Sequence, residues 1–118
     1  MKKFNLLVIF LLFLIGNLDA TNYYVDSANG NDSLNSGKNS SSAWKTIDKV
    51  NKYSSLTGFI AGDTISFKCG QRFQGTTLIP QNSGTVSLPI VFNSYGSGDR
   101  PIIDRNADTS LHDVIYSL

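Results

Sequence analysis

Isoleucines at positions 65, 90 and 115 stand 25 residues apart, twice in succession, and this spacing constrains the fold more than any other feature. Leu78 and Ile102 stand 24 apart between them. The segment ISFKCG from Ile65 aligns with IVFNSYG from Ile90, matching Phe67 to Phe92 and closing each on a glycine. A period of this length in strand-and-turn sequence indicates a solenoid or array, in which each repeat covers the apolar face of its neighbour. Two or three short strands per period, with no helix between them, favour a parallel β-helix over a leucine-rich repeat. A small antiparallel sandwich would space strands similarly, but no Asn-Gly or Asp-Gly pair joins two of these runs.

The strand reading rests on alternation. Ile65, Phe67 and Cys69 fall on one face of Asp63 to Cys69, and Thr64, Ser66 and Lys68 on the other. Further short apolar runs follow at 76–79, 89–92, 101–103 and 113–116, separated by Gly, Pro, Asn or Ser. Upstream, Asn22 to Asp26 reads as a short strand and Ser27 to Ser42 as a polar loop. A helix is predicted over about 43–53, because Ala43, Trp44, Ile47 and Val50 recur at helical spacing, with Ser41 or Ser42 as its cap. Lys45, Lys49 and Lys52 fall on its solvated face, and Trp44 is expected to anchor it to the core rather than to stack on a sugar.

Residues 1–20 have the parts of a secretory signal: Lys2 and Lys3, an apolar run from Phe4 to Ile15, and a small residue at Ala20. The run is short for a membrane span, which needs about 20 residues. The expected location is therefore secreted, periplasmic or cell-surface, with no stable membrane span after cleavage. Of the 10 Lys and Arg, Lys2 and Lys3 lie in that segment, and so does Asp19 of the nine acidic residues, all of them Asp. The remainder is neutral and carries no basic stripe, which argues against nucleic acid as a partner. One cysteine cannot close an intrachain disulfide.

The stretches YYVDSANGNDSLNSG, AWKTIDKVN, GDTISFKCGQRFQGT and SGTVSLPIVFNSYGSGDRPII together resemble the N-terminal part of secreted bacterial right-handed parallel β-helix proteins of the pectate-lyase-like superfamily. The resemblance runs from about Tyr23 to Ile103. It implies a mainly β chain, with residues 21–62 forming an N-terminal cap with one short α-helix and residues 63–118 the first two or so coils. Such a solenoid needs about three repeats for stability, so a truncated chain is expected. The resemblance also implies polysaccharide as the partner of the full-length protein, with a uronate lyase ahead of a glycoside hydrolase, and the catalytic coils beyond Leu118. The alternative is a non-catalytic glycan-binding or surface-adhesion β-helix protein, or a non-functional truncated fragment.

No catalytic residue can be nominated from the sequence. Lyases of that superfamily use, as the resemblance implies, clustered carboxylates holding calcium with a Lys or Arg base. The densest acidic stretch, Asp99, Asp104, Asp108 and Asp113 with Arg100 and Arg105, matches no calcium loop, and turn formation explains it better. Asp26, Asn29, Asn31 and Asp32 offer hard oxygen ligands and are the candidate calcium set, although an Asx-rich turn is the favoured role. No cofactor is otherwise evident, and calcium belongs by the resemblance to the full-length protein. His112 has no Ser or Cys partner to activate. Cys69 is expected to be a small buried side chain rather than a nucleophile. The residues given structural roles are Trp44, Ile65, Phe67, Cys69, Ile90, Phe92 and Ile115.

Overall fold

A computed structural model describes residues 19–105 and the backbone of 115–117. The expected signal segment lies almost wholly outside these residues, as do Asp108, His112, Asp113 and the side chain of Ile115. Among the described residues, six short strands and one α-helix follow in the order β1 (Asn22–Val25), α1 (Ile47–Leu56), β2 (Thr64–Lys68), β3 (Arg72–Gln74), β4 (Val91–Tyr95), β5 (Ile102–Asp104) and β6 (Ile115–Ser117). One sheet has the order β1-β2-β4 and is parallel throughout. The second has the order β3-β5-β6, with β5 parallel to β3 and antiparallel to β6.

The chain turns from one sheet to the other at two equivalent corners. Gly70, at φ +78°, separates β2 from β3, and Gly96 and Gly98 separate β4 from β5. The corners stack, because the Gly70 amide donates to the Asp99 carbonyl at 2.6 Å. Two strand-corner-strand units thus lie one on the other. The chain is mainly β, with one helix and short parallel strands. The described residues form no closed solenoid: after β3 the chain leaves the sheet, and 76–79 is a loop laid against α1 where a strand was expected.

Rung pairing also departs from the sequence period. Ile65 pairs with Phe92 and Phe67 with Ser94, so β4 is offset by two residues from the expected match of Phe67 with Phe92. A slip of two preserves which face each side chain occupies. The rung below is longer, with Tyr23 opposite Ile65, because the cap and α1 are inserted between them.

Tyr23, Val25, Trp44, Ile47, Val50, Phe59, Ile65, Phe67, Phe73 and Ile103 form the buried core, with Ile90 and Phe92 packed against it half-buried. Phe67 and Phe73 meet edge to face at 5.0 Å across the first corner. Cys69 stands one residue past the end of β2 and is half-buried. Trp44, 1% exposed, stacks on Tyr23 at 5.1 Å and touches Tyr53 and Phe59. Rings arranged this way contribute beyond their buried area.

Trp44 is extended, not helical, and this moves the helix. Its amide donates to Tyr24 O and its carbonyl accepts from Asp26 N, so the segment pairs with the outer edge of β1. That edge is sealed by the pairing, which protects it from association with other chains. With residues 43 and 44 committed to the sheet, α1 starts four residues later than the sequence predicts and ends at Leu56. Thr46, not Ser41 or Ser42, is its cap: Thr46 Oγ1 accepts from Lys49 N at 3.2 Å and donates to Asp32 Oδ2 at 2.6 Å. Thr46→Ala is therefore expected to destabilise the fold by about 1–2 kcal/mol. Ser42→Ala should stay within about 0.5 kcal/mol, because the buried Ser42 Oγ has no hydrogen-bond partner among the described residues. Thermal denaturation of the two variants checks the assignment.

Candidate functional site

The four candidate calcium ligands do not converge. Asp26, at the end of β1, accepts the Ala28 and Asn29 amides on Oδ1, both at 3.0 Å, in an Asx turn. Asn31 Oδ1 accepts the Ser33 and Leu34 amides. Asp32 instead spans to the start of α1, accepting Lys45 N at 2.7 Å and Thr46 N at 3.1 Å. The oxygens of Asp26 and Asn31 thus close two separate Asx turns, while those of Asp32 tie the loop to the start of α1. No group of three or more His, Cys, Asp or Glu placed to hold a metal occurs among the described residues.

Asp26 is the centre of the most developed polar cluster. Its Oδ1 also accepts Gln71 Nε2 at 2.7 Å, and its Oδ2 accepts Lys68 Nζ at 3.2 Å. Gln71 Oε1 in turn accepts the amide and hydroxyl of Ser27. Burial by itself would raise the Asp26 pKa. The bonds from Asn29, Gln71, Lys68 and Ala28 outweigh it and hold the carboxyl down at about 2. Such a group stays ionised at neutral pH and has no proton to give a leaving group. Beside it, burial and the charge of Asp26 push the Tyr95 hydroxyl up to about 12.

The other buried carboxylates are equally committed. Asp63 accepts Thr21 N on one oxygen and Ile60 N on the other, joining the N-terminal stem to the approach of β2. Asp104, expected in a turn, lies in β5 and is 1% exposed. It receives Arg72 Nε at 2.9 Å and also contacts Arg72 Nη2, binding β5 to β3. A glycosidase needs two carboxyl groups facing each other across the scissile bond. Asp26, Asp63 and Asp104 each serve a structural bond instead. Gln71 and Arg72 were invisible as partners in the sequence, because only the corner at Gly70 brings them to acids more than 30 positions away.

Two concavities among the described residues bear on ligand binding. One, of about 120 Å³ beside Ser27, Thr46 and Arg72, is smaller than the roughly 300–1,000 Å³ of most ligand sites. The other is an open groove of about 620 Å³ along the outer side of α1. Lys49 lines it while holding its ammonium 5.7 Å above the Trp44 ring.

No family model matches the chain. It is 36% identical over 89 residues to a lacto-N-biosidase of Bifidobacterium longum subsp. longum, a match covering 73% of this chain and 5% of that protein. In structure it is similar to the GH136 lacto-N-biosidase of Eubacterium ramulus. The native crystal structure gives a TM-score of 0.61 and 30% identity, over 69% of this chain and 12% of the other. The selenomethionine derivative gives 0.61 and 25%, over 82% and 17%. The chain thus spans a small fraction of the length of each of these relatives. These likenesses overturn the pectate-lyase-like resemblance and the uronate-lyase reading built on it, because the relatives are glycoside hydrolases.

Proposed function

We propose that this chain forms the opening cap and first rungs of an exported glycoside hydrolase that acts on glycans containing a lacto-N-biose unit. The observation that carries this reading is the 36% identity over 89 residues to a lacto-N-biosidase. The architecture supports it. The outer edge of β1 is sealed by the Trp44 segment, whereas β4 has no further neighbour in its sheet among the described residues. Two stacked strand-corner-strand units with one closed end are a suitable start for a parallel sheet that grows from β4, whereas the outer edge of β5 is taken by the antiparallel β6. The hydrolytic carboxylates, in this reading, lie outside residues 19–105, since the buried acids within them are all engaged. Residues 1–20 direct export; among the described residues, no helix is long and apolar enough to cross a membrane.

The test is hydrolysis of p-nitrophenyl lacto-N-bioside by the full-length polypeptide that carries this chain. Release of the intact disaccharide, with secretion lost when the apolar run from Phe4 to Ile15 is interrupted by charged residues, is the expected result. Absence of cleavage of that glycoside and of lacto-N-biose-terminated oligosaccharides would overturn the reading.

A further inference from the structure

The walls of the groove beside α1 are held by bonds that leave other polar groups facing its open space. Asn51 donates to Thr77 O at 2.8 Å and accepts Ile79 N at 2.8 Å, and Asp48 Oδ1 accepts Thr76 Oγ1 at 3.0 Å. Ser54 Oγ accepts Gln81 N at 3.0 Å. Loop 76–81 is thereby fastened along the helix, giving a wall set before any ligand arrives, which reduces the ordering cost of binding. The ammonium of Lys52 and the side-chain carboxamide of Gln81 form no hydrogen bond among the described residues, and both residues line the groove. Ile79, 53% exposed, contributes an apolar surface there.

Charge and size select the ligand. Asp32 and Asp48 balance Lys49 and Lys52 around the groove, so an anion meets two carboxylates and a cation two ammonium groups. A neutral ligand rich in hydroxyls can donate to the acids and accept from the lysines and Gln81, with its C–H face against Ile79. The helix from Asp48 to Ser55 advances about 10 Å, the length of a disaccharide. The groove's 620 Å³ lies within the range of ligand sites.

We propose that this groove binds a neutral oligosaccharide segment through Asp48, Lys52, Ile79 and Gln81. The choice of sugar rests on the glycan reading above, whereas the groove's chemistry does not depend on hydrolysis. The experiment is an NMR titration of the full-length polypeptide with lacto-N-biose, reading the amides of Asn51, Lys52 and Gln81. Saturable shifts with a Kd on the order of 1 mM are expected. The Lys52→Ala, Gln81→Ala double variant should weaken them roughly tenfold while leaving Tm unchanged. Groove shifts without hydrolysis would leave this site standing and remove the hydrolase reading. Hydrolysis without groove shifts would overturn the site, as would shifts produced by inorganic phosphate but not by the disaccharide.

Discussion

Alanine at position 37 is expected to destabilise the fold by about 2–3 kcal/mol more than alanine at position 70, although the two glycines have the same backbone conformation. Gly37 has φ +77° and Gly70 φ +78°, so the cost of forcing an L side chain into the left-handed region is common to both, about 1–2 kcal/mol. What differs is space. A Cβ at 70 meets nothing within 4 Å, whereas one at 37 would stand 2.5 Å from Trp44 Cε2 and 2.7 Å from Cδ2. The indole cannot retreat, because Tyr23 stacks on it and its backbone is bonded to β1. Nor can residue 37, whose carbonyl accepts Tyr24 N at 2.7 Å and whose amide donates to Ser42 O at 2.8 Å. Overpacking of this kind costs about 1–3 kcal/mol beyond the strain. At about 4–8 °C per kcal/mol for a domain of this size, the two variants should melt about 10–20 °C apart. Combining Gly37→Ala with Trp44→Phe should be less destabilising than the sum, by about 1 kcal/mol or more, as the ring withdraws. Equal melting temperatures for the Gly37→Ala and Gly70→Ala variants would show that the indole does not define the cap.

Much of the architecture was visible in the order of residues because its cause is local. Alternation placed Ile65 and Phe67 on one face of β2, where both are fully buried, and the polar stretch after β1 is a run of Asx turns. The register was not visible. Aligning Ile65 with Ile90 assumes equal rungs, but Ile65 pairs with Phe92, and only the two-residue pleat period kept the faces consistent. The helix start failed for a related reason: Ala43 and Trp44 fit a helical stripe as well as a strand, and the choice is made by the edge of β1. Side-chain partners were hidden further still. Asp26 finds Lys68 and Gln71, and Asp104 finds Arg72, only once two corners stack. The reaction was the least legible. Repeat spacing describes a scaffold, and it reads alike whether the full protein eliminates or hydrolyses. The likeness to lacto-N-biosidases is carried by the detail of the residues and not by their period, and the proposed hydrolase reading rests on it.

The Asp26 cluster should set the acid limit of the fold. The carboxyl titrates at about 2 in the folded protein against an ordinary 3.8, so the folded state binds its proton less readily than the unfolded chain does. Its contribution is therefore complete above pH 3.8, shrinks as pH falls through that value, and is gone below about 2. The gap corresponds to about 2 kcal/mol. Asp26→Asn should accordingly lower the melting temperature by roughly 8–16 °C at pH 7 and by much less at pH 2, where the folded parent has lost about half of that charge. The asparagine can still accept the Ala28 and Asn29 amides on its oxygen. That oxygen also keeps the Gln71 Nε2 bond, and the NH₂, in the place of Oδ2, would face Lys68 Nζ, donor against donor, in a position only 3% exposed. Replacing Lys68 as well should recover little, because that side chain is 38% exposed and water screens its half of the pair. Melting curves of the parent and the Asp26→Asn variant that stay parallel from pH 7 to pH 2 would sink this account, because they would place the acid sensitivity elsewhere. Convergence would locate in one residue the bond between the cap and the first corner.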